Sequence, residues 1–352
     1  MFSTPLKRSK TKEGNTIEVL KTNATLMGKM LISLRSRDGN LDDFFASEIQ
    51  SYATSLSDFG KLHLPAKKSE IVDLLLHDEI VNLPSTYHGK ILDGAAIVHM
   101  LKTGTATTFA EYSETVFILY VTRCLSPVQR LDIVWDHYKQ DSLKSGTREK
   151  RGKLKGIRRK VAASTKLPSN WQDFLKDNTN KEELFSFLTS AVSCHTFPEE
   201  KIVIITNGIE IRSNQDFSMP KCYHEEADTR MMFHLKHMIE NGMQKICIKT
   251  VDSDVIVILV GLFYQIGAQV DDVWVEYGAG KYMQYISIRT MYNQLGESRA
   301  KALLFFHAFT GSDTTSAKKQ PGILGRHLMM QQKHLQIWQL NHFCQLKMTQ
   351  KR

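Results

Sequence analysis

The feature that most restricts how this chain can fold is a repeated alternation of short apolar runs with amphipathic segments, beginning near residue 86. The runs KILD, RLDIV and KICIKTV have the length and apolar content of buried strands, and each is followed by a segment with helical periodicity. Strands that alternate with helices are typical of a mostly parallel sheet covered on both faces. The sequence therefore predicts an α/β fold with three layers, α/β/α, around a mostly parallel central sheet.

Turn-forming residues predict two antiparallel additions to this sheet. The segment KIVIITNGIEIRS contains two alternating runs joined at Asn207-Gly208, a dipeptide preferred in type I′ turns, and VWVEYGAGKYMQYISI is a second predicted hairpin. We expect three regions along the chain: a partly ordered N-terminal extension (1–85), the α/β domain (86–318, with a basic arm at 144–160) and a helical tail that we interpret as truncated (319–352).

Composition restricts the class of protein. The chain has 352 residues, of which 42% are hydrophobic and 24% are charged, and these values are ordinary for folded globular proteins. The N-terminus lacks the apolar run of a secretory signal, and the longest apolar run, Val255–Tyr264, is about half the ~20 residues that a membrane helix needs. Five cysteines without CxxC spacing argue against a disulfide framework or a zinc knuckle. We expect a nuclear or cytoplasmic protein that is neither secreted nor membrane-bound.

One short segment accounts for nearly all of the chain's net charge of +9. Residues 144–160, KSGTREKRGKLKGIRRK, contain nine lysines and arginines and one glutamate, a net charge of +8. Such a run is common on solvated loops and helix faces and in localisation signals. It also has the character of an arm that binds the phosphates of a polyanion. The sequence leaves both interpretations open.

Acidic residues follow three of the predicted strands at the points where those strands end. Asp93 ends KILD, Asp136 follows RLDIVW, and Asp252 and Asp254 follow KICIKTV. Ligands of open α/β sheets bind outside the carboxyl ends of the parallel strands. We therefore expect side chains from three distant parts of the chain to gather at one edge of the sheet.

These acids have two explanations, helix capping and cation binding. Asp252 suits the N-cap of the helix that begins near Val255, and Glu226 and Asp228 stand where acids favour a helix N-terminus. The second acid, Asp254, exceeds what one cap needs, and several carboxylates at one edge repel one another unless a cation neutralises them. Carboxylates without cysteine or a histidine ligand pattern suit Mg²⁺ or Mn²⁺ rather than zinc, and Asp228 stands where a zincin motif would need histidine.

Clustered acids with Mg²⁺ beside a basic arm are typical of phosphodiester hydrolysis, in which two ions activate water and stabilise the leaving oxygen. A second hypothesis takes the DSD tripeptide at 252–254 as the DxD motif of a nucleotide-sugar transferase. That hypothesis leaves the other strand-end acids and the basic arm without a role. The nuclease interpretation accounts for more of the sequence.

In their order along the chain, these residues resemble the flap endonuclease (XPG-like) branch of the PIN-domain nucleases. LDGAAIVHM and IVWDHY are similar to the first two metal-binding strands of that family, HEEADTRMMFH to its acidic helix start, KTVDSDVIVIL to its strand-end Asp-x-Asp, and FTGSDTTSA to its Gly-x-Asp. This likeness spans roughly residues 89–316. A closer likeness, reaching back to about Tyr52, is to a group of metazoan proteins of unassigned function that carry the words HEEADTR, DSDV and TGSDTTSA.

The resemblance implies a PIN-like domain that hydrolyses phosphodiester bonds as a structure-selective endo- or exonuclease, with two Mg²⁺ or Mn²⁺ ions as cofactors. It assigns catalysis and metal binding to seven acids: Asp93, Asp136, Glu226, Asp228, Asp252, Asp254 and Asp313. It assigns phosphate binding to three cations of the basic arm: Lys144, Arg148 and Arg151. The implied partner is nucleic acid, with DNA favoured over RNA and both left open, and no membrane; the sequence does not identify a protein partner. The alternative is a catalytically silent PIN-like scaffold that binds nucleic acid or protein and descends from a mobile element.

Overall fold

The computed structural model describes residues 69–76, 86–137 and 157–311, together with residues 21, 24–25, 28–29, 32, 57–58 and 61–62. The chain divides into two compact units, Met1–His63 and Leu64–Arg352. In the first unit, the two-residue strands Ser57–Asp58 and Lys61–Leu62 pair in antiparallel orientation.

The second unit is built on a seven-stranded central sheet. Its strands are β1 Gly89–Asp93, β2 Arg130–Val134, β3 Ile202–Asn207, β4 Glu210–Ser213, β5 Lys245–Thr250, β6 Asp272–Tyr277 and β7 Gln284–Ser287. The strand order is β4-β3-β2-β1-β5-β6-β7. The five inner strands are parallel, and the edge strands β4 and β7 pair antiparallel with their neighbours. The predicted mostly parallel sheet is therefore confirmed.

Helices cover both faces of this sheet. One face carries α2 Gly94–Met100, α3 Phe109–Tyr112, a π-helical segment Ser113–Ile118, α4 Leu119–Leu125, α5 Trp171–Phe174 and α6 Asn178–Cys194. The other face carries α1 Glu70–Leu75, α7 Ala227–Glu240, α8 Ser253–Ile266, α9 Ile288–Leu295 and α10 Glu297–Gly311. The three-layer α/β/α arrangement is the predicted one. Among the described helices, none has the length and apolar character that crossing a membrane requires.

The strand sequences are rich in apolar residues because helices cover both faces of the sheet. Side chains along a strand point alternately to the two faces, so a strand that is buried on both sides is mostly apolar, and a charged residue within it needs a buried partner. In β1, Ile91 packs into the core on the α7–α8 side, whereas the next residue, Leu92, packs into the core on the α2–α6 side. Both side chains are at most 1% exposed. Burial of each contributes about 1.5–3 kcal/mol to folding.

A glycine at the start of α2 allows a tryptophan to pack against the helix. A Cβ atom on Gly94 would lie 2.3 Å from Cε3 of Trp135. The Trp135 ring stacks on Phe185 with 4.3 Å between ring centroids and on Phe117 with 5.9 Å. Its Nε1 donates to Oγ1 of Thr189 at 3.0 Å. These contacts fix the chain directly after β2, immediately before Asp136.

A buried polar network joins β2 to α7. Arg130 and Asp132 are 0% exposed, and Nε and Nη2 of the arginine donate to the carboxylate at 2.7 and 2.6 Å. Nδ1 of His234 lies 2.7 Å from Oδ2 of Asp132. Burial raises the pKa of Asp132, but the Arg130 charge and the His234 hydrogen bond outweigh it and lower the pKa overall. The network therefore holds an ionised carboxylate between strand and helix.

The hairpin between β3 and β4 differs from the prediction in one detail. Asn207 pairs with Glu210, so Asn207 is the last residue of β3 and the two-residue turn is Gly208-Ile209. Gly208 has φ +61°, which side-chain-bearing residues rarely adopt. Glycine at the first central position, followed by a β-branched residue, is the pattern of type II′ rather than type I′ turns.

Candidate functional site

The topology places the carboxyl ends of β1 and β5 at the point where the chain's connections diverge. After β1 the chain runs through helices on one face of the sheet, and after β5 it runs through α8 on the other face. The adjacent ends of such strands form a crevice, which is where open α/β sheets bind ligands. Asp93 ends β1, and Asp252 follows β5 by two residues. These two acids therefore flank the crevice.

Asp93 is a buried carboxylate whose two oxygens both accept hydrogen bonds. Its Oδ1 accepts from the backbone N of Ala96 at 3.0 Å, which caps α2, and its Oδ2 accepts from Oγ1 of Thr250 at 3.0 Å. Burial, followed by the charges of Asp136 and Asp252, raises the pKa of Asp93 to about 7, although both hydrogen bonds lower it. The three acids are thus close enough to interact, and a cation among them would relieve their repulsion.

Asp136 connects the end of β2 to the beginning of α7. Its Oδ1 accepts from the backbone N of Ala227, the first residue of α7, at 2.9 Å. The backbone N of His137 donates to the carbonyl of Glu225 at 2.8 Å. Because the first N–H groups of a helix lack partners within the helix and carry partial positive charge, a carboxylate there is favourable. Asp136 therefore caps α7 from a distant part of the chain.

The predicted acids at the start of α7 lie where the sequence places them. Glu226 occupies the N-cap position, but its side chain makes no capping hydrogen bond. Asp228 lies in the first turn, is 8% exposed, and its Oδ1 accepts from the backbone N of Thr229 at 2.6 Å. The capping explanation therefore applies to Asp136 rather than to Glu226.

The two acids of the DSD tripeptide have different surroundings. Oδ1 of Asp252 accepts from the backbone N of Asp254 at 3.0 Å, so Asp252 caps α8 as predicted. Asp254 is 4% exposed, and its Oδ1 lies 2.5 Å from Nε2 of His307 on α10. Asp252 thus interacts with Asp93 across the crevice. Asp254 is instead held by His307 of α10.

Sequence reasoning predicts His307 as a hydrogen-bonded helix histidine, but it missed that His307 and Thr250 orient these acids. The Thr250 hydroxyl donates to Asp93 and accepts from the backbone N of Asp252 at 3.0 Å, so one side chain positions both acids. The signal in the sequence was a hydroxyl residue at the end of a buried strand. For His307 the signal was a single polar residue inside the apolar run LLFFHAF.

The arrangement brings some predicted residues together and leaves the set incomplete. Asp93, Asp136 and Asp252 interact at the crevice, and their carboxylates are the donors that hard divalent cations prefer. Within residues 69–76, 86–137 and 157–311, however, no group of three or more His, Cys, Asp or Glu side chains is arranged to hold a metal ion. The predicted ligand Asp313 and the predicted phosphate-binding residues Lys144, Arg148 and Arg151 lie outside the described residues.

The end of the basic segment is described, and two of its cations have structural partners. Arg158 forms an ion pair with Glu183 of α6, and its Nη1 donates to Oδ1 of Asn180 at 2.9 Å. Nη1 of Arg159 donates to the carbonyl of Lys166 at 2.7 Å. These contacts attach the basic segment to the domain. They explain why the chain has positively charged residues at these two positions.

Comparison with known proteins gives a limited result. No protein-family model and no curated protein matches the chain. Two matching structures are those of the flap endonuclease of bacteriophage T5 in a pseudo-enzyme–product complex with DNA and metal ions, and of the T5 protein co-crystallised with metal ions. Each is 14% identical and covers 69% of this chain, and 75% and 74% of its own, with a TM-score of 0.36. This likeness assigns no activity to the chain.

Proposed function

We propose that this chain is a divalent-metal-dependent, structure-selective nuclease that hydrolyses phosphodiester bonds. The observation that carries the proposal is the buried carboxylate of Asp93 at the crevice, close enough to Asp136 and Asp252 for their charges to raise its pKa. Like charges collected in one crevice oppose ionisation unless a cation compensates them. The order of motifs that resembles the flap endonucleases supports the same assignment.

The proposed ligands of two Mg²⁺ or Mn²⁺ ions are the seven acids of the sequence analysis: Asp93, Asp136, Glu226, Asp228, Asp252, Asp254 and Asp313. When bound, such ions activate water and stabilise the leaving oxygen. Thr250 fixes the carboxylate of Asp93 and the backbone of Asp252, and His307 fixes the carboxylate of Asp254, so these groups are positioned before substrate arrives.

The proposed substrate is nucleic acid, with DNA preferred over RNA. In this proposal the basic arm binds phosphates that flank the cleaved bond, through Lys144, Arg148 and Arg151. Contacts of this kind release counterions, so the affinity for nucleic acid falls as the salt concentration rises. A salt titration of binding therefore reports on the arm separately from the acids.

The test is cleavage of end-labelled flap, hairpin and single-stranded substrates, as DNA and as RNA, with Mg²⁺, Mn²⁺ or EDTA. We expect metal-dependent cleavage by the wild type and a loss of ~100-fold or more in Asp93→Asn and Asp252→Asn. The matched control is Asp271→Asn, the same change at an exposed aspartate before β6, at the opposite edge of the sheet. This control is expected to cleave like the wild type.

Three results would contradict the proposal. Cleavage in EDTA, or equal cleavage by the wild type and Asp252→Asn, would assign the activity to something other than the crevice. Binding of nucleic acid by the wild type without any cleavage would support the silent scaffold instead. That alternative is favoured by one observation: within the described residues, which do not include Asp313, no group of three or more His, Cys, Asp or Glu side chains is arranged to hold a metal ion.

A further inference from the structure

The loop between β6 and β7, residues 278–283, leaves the sheet at the same edge as the acids. β6 is parallel to β5 and pairs with it up to its last residue, where Tyr277 lies opposite Thr250. The backbone N of Gly278 donates to the carbonyl of Thr250 at 3.1 Å. Because the Thr250 hydroxyl also donates to Asp93, the beginning of the loop adjoins the candidate active site.

The loop has a defined shape that depends on glycine. Gly278 has φ +88°, and a Cβ atom there would lie 2.7 Å from the carbonyl oxygen of Tyr282, so the chain closes tightly on itself. The backbone N of Tyr282 donates to the carbonyl of Ala279 at 3.2 Å, and that of Met283 to Gly280 at 3.3 Å. Tyr282 is therefore presented to solvent from a closed turn.

This turn exposes an aromatic ring beside a cation. Tyr282 is 73% exposed, more than any other aromatic side chain in the described part of the chain. Nζ of Lys281 lies 5.0 Å from the centre of its ring. Met283 and Val251, at the same edge of the sheet, are 38% and 44% exposed. Covering an exposed ring with another flat surface is favourable, and the adjacent cation favours an anionic partner.

We propose that Tyr282 is a stacking platform for an unpaired base of the nucleic acid and that Lys281 contacts a neighbouring phosphate. This inference rests on the proposed function and adds a preference for a single-stranded segment beside the cleaved bond. Stacking on an aromatic ring requires only an accessible face and accepts any base. The Lys281 side chain is exposed, so it can move from the ring to a phosphate at little cost. A duplex would have to unstack a base before using the platform.

The chain offers a matched control in a second pair of the same kind. Nζ of Lys301 lies 4.1 Å from the ring centre of Tyr264. Tyr264 lies ten residues after Asp254 along α8, which places it about 15 Å further from the acidic edge. A general effect of removing an exposed tyrosine beside a lysine would appear equally at this position.

The experiment measures binding without cleavage, in EDTA, by fluorescence anisotropy of a labelled single-stranded DNA and of the matching blunt duplex. For the single strand we expect Tyr282→Ala to raise the Kd ~10-fold, Tyr282→Phe to retain the affinity, and Tyr264→Ala to leave it unchanged. Lys281→Ala is expected to reduce the slope of log affinity against log salt concentration. The reduction should be about the amount that one phosphate contact contributes. The duplex is expected to respond less than the single strand to Tyr282→Ala and to Lys281→Ala. Circular dichroism verifies that each variant is folded.

A 2-aminopurine base in the strand reports stacking directly, because its fluorescence falls when it stacks on a ring. We expect this quenching with the wild type and Tyr282→Phe and its loss with Tyr282→Ala. Tyr282-dependent binding by a wild type that never cleaves would refute the nuclease and support the platform. Unchanged affinity and quenching in Tyr282→Ala, or a wild type that binds no single strand, would overturn the platform even if the protein cleaves.

Discussion

Nε2 of His307 lies 2.5 Å from Oδ1 of Asp254, and this contact joins α10 to α8 between residues 53 positions apart. The two residues are 8% and 4% exposed. Asp254 lies in the first turn of the helix that Asp252 caps. The same helix start therefore carries one acid that interacts with Asp93 and another that a distant helix holds in place.

Removing His307 is expected to destabilise the protein. Asp254 would lose a hydrogen-bond partner in a place where water has little access, which costs about 1–3 kcal/mol in the free energy of unfolding. Urea denaturation of His307→Ala measures this cost as a lower midpoint at an unchanged slope. Arg299→Ala on the exposed side of the same helix is the control, and its midpoint is expected to equal that of the wild type. Equal midpoints for both variants would show that the contact between His307 and Asp254 contributes nothing to the free energy of unfolding.

The free energy of unfolding is expected to fall with rising pH because of Asp93. Burial and the neighbouring charges raise its pKa from 3.8 to about 7 in the folded state. Between these values the folded protein holds a proton that the unfolded chain has lost, so each step up in pH favours unfolding. The contribution of the raised pKa is complete below about pH 4 and lost above about pH 7. The full loss is on the order of 4 kcal/mol.

Asp93→Asn isolates this contribution, since asparagine keeps the shape and does not titrate. We expect the variant to gain stability relative to the wild type as the pH rises from 4 to 7, in urea titrations in EDTA. The control Asp271→Asn is expected to follow the wild-type pH dependence. A constant difference between Asp93→Asn and the wild type across this range would contradict a pKa near 7.

The sequence predicted the parts of the site that local patterns determine. Strand and helix periodicity identified β1, β2 and β5, and the acids at their ends could be placed at one edge because parallel strands share a direction. The pairing of His307 with Asp254 could not be predicted, because it depends on how two helices pack. Likewise, nothing local indicates that Asp136, rather than Glu226, caps α7.

Asp132 offers the strongest test of a network that sequence reasoning did not find. In Asp132→Ala the guanidinium of Arg130 would remain buried without its carboxylate, which is expected to cost about 3–5 kcal/mol in the free energy of unfolding. Replacing both residues, in Arg130→Met/Asp132→Leu, removes both charges and is expected to cost less than Asp132→Ala alone. Urea denaturation of the two variants compares these costs. A double variant less stable than the single one would show that the pair itself stabilises the fold.

The exposed ion pair of Lys221 with Glu210, at 2.7 Å, is the control for that comparison. Both side chains are more than half exposed, so solvent screens their attraction and ordering two long side chains offsets it. Glu210→Gln is therefore expected to leave the urea midpoint unchanged. A shift as large as that of Asp132→Ala would mean that burial does not determine the cost of losing a carboxylate here.

Gly94→Ala is expected to disturb the crevice through Trp135. The added methyl group would lie 2.3 Å from Cε3 of Trp135, and that ring cannot retreat because Phe185 stacks on it at 4.3 Å. Either α2 or the tryptophan must move, at a cost of about 1–3 kcal/mol, and Asp93 and Asp136 adjoin those two residues. Urea unfolding followed by tryptophan fluorescence measures the loss. Gly28→Ala adds the same methyl group to a helical position where, apart from its chain neighbours and its own helix backbone, no atom lies within 4 Å, and it is expected to keep or slightly raise the stability because alanine favours a helix. If Gly94→Ala is as stable as Gly28→Ala, the contact at Trp135 does not constrain the site.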